Sequence, residues 1–370
     1  MPQRCASPSW CDEQGTSRTI PAARSRGLLA PPKGANAMTL SPSSSRQIEI
    51  LRQGSGAYHP VDPDGFRHYV REHKNRALQP RLMTAREAVD RFVADGDYLT
   101  YECNYLMRGP NAVFHEIIRQ GKKDLWIAGK FTYVDVALLV DAGCASKIDC
   151  GFFLSAPAVD RALKEGRLQV YEYSNVIMTL RIQAGAMGLP FLPVRSFGGT
   201  TGFDHSGAKL ISDPYTGDPI TIVPALNPDV AVIHVHQADI YGNARIFGTG
   251  ISDVEAAMAS RKVIISAEEI VDTEEIRRNP GATSIPYYAV DAVVSSPFGS
   301  YPGTCPGYYG SDPEGVFEVF RAVMGNGVPA YLDKWVRPFE TFEDMLEQQV
   351  GQAKLDAMRA NEVVKEGYSA

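Results

Sequence analysis

From Leu82 onward the chain alternates β-branched runs with amphipathic helical stretches that end on glycines, and this alternation limits the fold more than any other feature. Thr84 followed by Glu87 has the form of a capping box, opening a helix that turns Ala88, Val89 and Phe92 inward. Gly96-Asp97 closes it, and DYLTYE reads as a strand. Asn111 to Gln120 predicts a second helix on Val113, Phe114, Ile117 and Ile118, with Gly121 as its stop. The strands DLWIAG, KIDCGFF and LQVYEY continue the beat, with helices ending at Gly143 and Gly166 between them. A further helix from Ser174 to Met187 stops at Gly188, and FLPVR follows as a short strand. ITIVPAL, DVAVIHVH, KVIISAEE and AVDAVVSS add further β-rich runs. Strands alternating with helices of about ten to fourteen residues imply βαβ units. The expected architecture is α/β: an open, mostly parallel sheet with helices on both faces.

In such sheets ligands bind beyond the carboxyl ends of the strands. The loops Cys103 to Pro110 and Ser196 to Pro219 each follow an expected strand. The second is long and rich in Gly, Thr and Asp, and a connection of that length without structure is usually functional or mobile.

Bulk properties exclude several classes. A hydrophobic content of 44% with 22% charged residues fits a soluble globular chain. The net charge of -6 gives no basic footprint for nucleic acid. No apolar run approaches the ~20 residues that cross a bilayer, so no membrane role is expected. The six cysteines form no Cys-x-x-Cys pair, which suggests reduced thiols in a cytoplasmic protein and no disulfide scaffold. No Gly-x-Gly-x-x-Gly opens a helix after an early strand, which weighs against a nicotinamide enzyme. A Gly-x-Ser-x-Gly elbow is also absent.

Residues 1–57 read as an extension, either a disordered tail or a mis-assigned start, since Ser, Pro, Ala and Arg dominate 1–46 and Met38 offers another start. Phe66, Tyr69 and Val70 recur at helical spacing, predicting a helical arm over 58–81 that packs on the body. The body spans 82–336, and 337–370 forms a charged tail of helical pattern.

Several segments together resemble one family. GDYLTYECNYLMRGPNAVFHEIIRQG from Gly96 is similar to the opening of class I coenzyme A transferase alpha (A) subunits. AGAMGLPFLPVRS from Ala184, DVAVIHVHQADIYGNARIFG from Asp229, SAEEIVDTEEIRR from Ser266 and AVDAVVSSPFGSYPGTCPGYY from Ala289 follow in the family's order. They look most like the glutaconate-type A subunits, over about residues 82–330. The resemblance implies covalent catalysis by a glutamate that forms an anhydride and then a glutamyl-CoA thioester. In two-subunit members that glutamate belongs to a B (beta) subunit. The resemblance thus implies a B-subunit partner in a heterotetramer or larger assembly. Coenzyme A would be a substrate, with no permanently bound cofactor and no metal.

One departure stands out. Where the family has a Gly-Gly-Phe loop, this chain has Glu102, Cys103 and Asn104. Glycines there let backbone approach a ligand closely. Glu102 is then a candidate catalytic carboxylate and Asn104 a candidate donor to a thioester oxygen. Alternatively the loop simply differs, with Glu102 paired to Arg108 and the glutamate on the partner. A CoA-thioester hydrolase of the same fold, of ring-cleaving type, and a non-catalytic acyl-CoA-binding module remain rival functions. Arg108, Gly109 and Glu268 are candidate substrate or CoA contacts. So is the stretch Ser196, Gly198, Gly199 and Thr200, whose backbone N–H groups suit an oxyanion or phosphate. His234 and His236 alternate on one strand face, but no third metal ligand is in view and core roles are expected. For Glu268 and Glu269 the competing reading is ion pairing with Arg277 or Arg278.

Overall fold

The computed structural model describes residues 48–362, Thr249 excepted. Strand β1 (Ile50–Gln53) and helix α1 (Pro63–Glu72) precede the body, which opens on α2 (Ala85–Phe92) and β2 (Tyr98–Tyr101). Then come α3 (Asn111–Gln120), β3 (Leu125–Thr132), α4 (Val134–Asp141), β4 (Ala145–Phe153), α5 (Pro157–Lys164) and β5 (Gln169–Glu172). Next are α6 (Asn175–Ala186), β6 (Phe191–Val194), α7 (Thr201–Asp204), β7 (Lys209–Ser212) and β8 (Pro219–Pro224). The second half carries β9 (Val230–Ala238), β10 (Ala244–Arg245), α8 (Asp253–Ala259), β11 (Lys262–Ile270), α9 (Thr273–Arg278) and β12 (Ala292–Ser295). Four helices follow: α10 (Pro313–Met324), α11 (Val328–Trp335), α12 (Phe342–Met345) and α13 (Gln352–Ala360).

Local chemistry sets the boundaries that the sequence announced. The Thr84–Glu87 capping box forms at the start of α2, with both backbone N–H groups taken by side chains. Gly121 ends α3 with a φ of 61°, a left-handed cap that glycine adopts without strain.

Seven strands lie in the order β12-β11-β9-β2-β3-β4-β5, all parallel, with β10 antiparallel on β9. After β2 the chain builds outward through β3, β4 and β5, then returns to the other side of β2 as β9, β11 and β12. The order therefore reverses between β2 and β9, and the crevice above that point is where such sheets bind ligands. Helices cover both faces. Val113, Ile117, Leu138 and Val159 of α3, α4 and α5 bury against one face, together with Val319 and Leu332 of α10 and α11. Ile177, Ile182, Ala256 and Ala257 of α6 and α8 bury against the other.

A second, antiparallel sheet, β1-β7-β8-β6, adds its apolar side to that other face. Here the structure departs from expectation. The stretch Ser196 to Pro219 is no unstructured loop, for it contains α7 and β7 and closes a hairpin onto β8. The DPYTGDP segment supplies the turn, with Asp213 accepting the Tyr215 N–H at 2.8 Å and Gly217 at φ 81°. β6 pairs antiparallel with β8, so its end is not a carboxyl end of the parallel sheet.

The expectation for residues 1–46 lies outside the described residues. β1, however, falls inside 1–57, where no packed structure was expected. It is ordered because its backbone pairs with β7 and Gly54 fits only as glycine, since a Cβ would stand 2.2 Å from Phe203 O. In the 58–81 segment, α1 is capped by Asp62 and buries Phe66. Lys74 pins the segment: its buried ammonium donates to Asp291 Oδ2 and to Arg261 O, each at 2.8 Å. Lys74→Met removes the ammonium and leaves the Asp291 carboxylate with the Val263 N–H but without its ion-pair partner. Losing one partner of a buried pair costs about 3 kcal/mol or more. We expect a matching fall in the denaturant midpoint and faster proteolysis between residues 58 and 81.

The tail bends back onto the sheet's first face, where Phe342, Met345, Leu355 and Met358 join the core. Residues 363–370 of the expected tail lie outside the described residues. No helix among the described residues is long and apolar enough to cross a membrane.

Candidate active site at the switch point

Register brings the first pair together. Thr100 on β2 lies opposite Ala128 on β3, so Glu102 and Lys130, each two residues further on, meet beyond the strand ends. They form a buried ion pair, and the Ser252 N–H donates to the other Glu102 oxygen at 3.2 Å. Burial pushes the Glu102 carboxyl above its ordinary range; Lys130 opposes that rise and Asp253 adds to it. Glu102 is therefore not paired to Arg108, as one reading had it. Arg108 turns instead to Asp253, which it grips through two hydrogen bonds of 2.8 and 2.9 Å, and donates to His234 O on β9 at 2.8 Å.

The backbone between these residues is held in an unusual form. Cys103 has φ 61° and Arg108 has φ 46°, a region that side chains rarely adopt. Cys103 therefore adopts the left-handed region without being a glycine. Buried contacts hold it: Arg108 Nη2 donates to Cys103 Sγ at 3.1 Å, and the Arg108 N–H donates to Thr304 O at 2.7 Å. Burial pushes the Cys103 thiol up to about 12.

Asn104 is half-buried, and its Oδ1 accepts the Leu106 N–H at 2.9 Å within a turn that closes at Met107. Gly109 is a packing glycine, because a Cβ there would stand 2.4 Å from Asn104 O. Its carbonyl accepts the Ser300 hydroxyl at 2.8 Å, tying the 102–111 loop to the loop after β12.

Glu268 lies two strands away on β11, and its partners differ from those expected. It pairs with neither Arg277 nor Arg278. His234 Nε2 sits 2.7 Å from Oε1, the Phe298 N–H donates to Oε2 at 2.6 Å, and the Tyr309 hydroxyl donates to Oε1. Arg277 pairs with Glu274, and the half-exposed neighbour Glu269 takes Gln237 and Tyr308. The sequence put no third metal ligand beside the histidines, whereas the fold places His234, Glu268 and Cys305 within 4.8 Å of one another. Both His234 ring nitrogens are already engaged, Nδ1 by Ser266 Oγ at 2.9 Å and Nε2 by Glu268, and burial drives the Cys305 thiol far up. His236 supports loops, meeting Pro306 O at 2.9 Å and the Phe247 N–H at 3.1 Å.

The Ser196, Gly198, Gly199 and Thr200 stretch sits on the second sheet. Ser196, Gly199 and Thr200 are exposed, and Thr200 caps the short α7 through the Phe203 N–H. The fold does not bring this turn into hydrogen-bond or ion-pair contact with Glu102, Arg108 or Glu268, whose partners are those given above. Lys130, Ser252 and Asp253 went unnoticed in the sequence. A lysine ending the apolar run LWIAGK was a signal for the first; Ser252 and Asp253 gave only a helix-start pattern.

Two buried carboxylate–cation pairs, Glu102–Lys130 and Asp253–Arg108, thus gather beyond the strand ends at the switch point of an α/β parallel sheet. Residues 82–296 match the family described as Coenzyme A transferase, and the chain belongs to that family. It is 34% identical over 274 residues to the A subunit of 3-oxoadipate CoA-transferase from Pseudomonas knackmussii, covering 71% of this chain and 96% of that one. The crystal structure of glutaconate coenzyme A-transferase from Acidaminococcus fermentans superposes with a TM-score of 0.71 at 29% identity, covering 75% of this chain and 95% of that one. A third relative, the cholesterol ring-cleaving hydrolase IpdA subunit of Mycobacterium tuberculosis, is 31% identical over 227 residues, 56% of this chain and 76% of that one.

Proposed function

We propose that this chain is the A subunit of a heteromeric CoA-transferase. It moves CoA from an acyl-CoA to a carboxylic acid, and a B subunit supplies the nucleophilic glutamate. One observation carries the reading. Among the described residues, each buried carboxylate at the switch point is already bonded: Glu102 to Lys130 and Ser252, Asp253 to Arg108, Glu268 to His234, Tyr309 and Phe298. A carboxylate held in a buried ion pair must give up its partner before it can swing onto a thioester carbon, which favours a nucleophile from another chain.

The partner's carboxylate attacks the thioester carbonyl and expels the CoA thiolate, leaving an acyl–glutamyl anhydride. The thiolate then attacks the glutamyl carbonyl, releasing the first acid and leaving glutamyl-CoA. The acceptor acid reverses the sequence. Each tetrahedral intermediate bears an oxyanion that needs fixed donors. With its Oδ1 engaged, Asn104 has Nδ2 hydrogens to offer. Arg108 and Gly109 shape the loop, Glu268 anchors its neighbour through Phe298, and the exposed Ser196 to Thr200 turn suits the CoA tail. The body over 82–336 does this work, in a cytoplasmic heterotetramer or larger complex.

The test is reconstitution. Alone, the full chain moves no CoA between acyl-CoA and acetate or succinate; mixed with its B subunit, it does. Robust transfer by the isolated chain sinks the proposal. A second reading, a CoA-thioester hydrolase, draws on the raised pKa of Glu102 and the likeness to the ring-cleaving hydrolase subunit. Its signature is free CoA released without a new thioester.

A further inference from the structure

The loop that brings Ser252 to Glu102 also walls an open cleft. Ile246, Ile251 and Val254 give the cleft its apolar lining, and Glu255 and Ser284 are among its polar groups. Asp253 touches it too, but its carboxylate is spent on Arg108. No lysine or arginine lines the cleft among the described residues. The two buried cations of the site are both engaged, Arg108 with Asp253 and Lys130 with Glu102. Ser252 stands in the chain between the lining residues Ile251 and Asp253, its N–H bonds Glu102, and its hydroxyl is buried with no hydrogen-bond partner. Buried hydroxyls ordinarily find one.

We propose that this cleft takes the acyl chain of the thioester and selects a neutral, apolar acyl group over one that ends in a carboxylate. Ser252, next in the chain to the lining residues Ile251 and Asp253, then offers its unpartnered hydroxyl to the thioester carbonyl oxygen. The inference rests on the acyl-CoA reading above and narrows its substrate class. An uncharged chain loses water against Ile246, Ile251 and Val254, which favours binding. A terminal carboxylate would give up its hydration, find no cation, and lie near Glu255. Both effects disfavour it, the second by repulsion. Glutaconate and 3-oxoadipate, for which two relatives are named, are dicarboxylates.

Hexanoyl-CoA and adipoyl-CoA have acyl chains of equal carbon count and differ by the terminal carboxylate. With the full chain and its B subunit together, calorimetry gives the affinity for each, and an acceptor assay gives kcat/KM. We expect hexanoyl-CoA to be favoured at least tenfold in both. Glu255→Arg and, separately, Val254→Lys place a cation in the lining and shift the ratio at least tenfold towards adipoyl-CoA. Val254 is exposed, so its replacement spares the fold. Equal or reversed preference in the parent protein overturns the inference, as does a ratio that neither variant moves. If no CoA reaches any acceptor, the transfer reading fails, yet the two affinities still decide the cleft.

Discussion

Asp149→Ala unfolds at a far lower denaturant concentration than the parent chain, with a loss of roughly 5 kcal/mol or more. Asp149 sits on β4, fully buried, where three donors converge on it. Tyr98 Oη and Arg181 Nη1 each donate to Oδ2, and Trp126 Nε1 donates to Oδ1, all at 2.7 Å. Arg181 is equally buried; it also donates to Pro224 O at 3.0 Å and lies 3.9 Å over the Tyr173 ring. This cluster joins β2, β3 and β4 of the main sheet to α6 and the second sheet. Deleting the carboxylate leaves a buried guanidinium without its counter-charge, which alone costs about 3–5 kcal/mol. It also strands the Tyr98 hydroxyl and the Trp126 indole N–H, at about 1–3 kcal/mol each if no water replaces the acceptor. Domains hold only about 5–15 kcal/mol in total, so the variant stands near the limit of folding. Asp149→Asn keeps acceptor capacity but loses the charge, and falls between parent and alanine. Chemical denaturation of the three proteins checks the order, and parent-like stability in Asp149→Ala would refute the account.

That cluster was invisible in the sequence, and the reason is physical. KIDCGFF is plainly a buried strand, and an aspartate in it signals a partner without saying which. The partner lies 32 residues on, at Arg181 of α6, and only the packing of α6 across β4 joins them. The same holds at the switch point. Both Lys130 and Arg108 could have reached Glu102; the β2–β3 register, with Thr100 opposite Ala128, decides for Lys130. What short-range chemistry controls was legible: the Thr84–Glu87 box, the Gly121 stop, the α6 cap at Ser174, and the parallel βαβ order. The antiparallel sheet was not. β6 and β8 have the composition of any buried strand, and pairing between them depends on long-range contacts that no local window carries. At Cys103 nothing in the sequence marked the backbone form: a cysteine stands at φ 61°, held by Arg108, which is itself tied to Thr304.

Glu102 offers the sharpest separation of structural from chemical roles. Glu102→Gln alone leaves Lys130 buried without its counter-charge, and Lys130→Met alone does the same to Glu102. Each is expected to lose about 3–5 kcal/mol. The double variant Glu102→Gln/Lys130→Met removes both charges and recovers most of that loss, as pairs replaced together often do. If the partner supplies the nucleophile, as the transferase reading holds, then with the B subunit present the double variant keeps turnover per folded molecule within about tenfold of the parent. Lys130→Met gives a second readout. Without the ammonium only the Ser252 N–H still offsets burial, so the Glu102 carboxyl rises further and ionises only at higher pH. Were ionised Glu102 the acting group, the acidic limb of the pH–rate profile would move up in pH. In the transferase reading that limb belongs to the partner's glutamate and stays in place. A thousandfold loss in the double variant, together with a displaced limb in Lys130→Met, would transfer the chemistry to Glu102 and make this chain the catalytic half of a hydrolase.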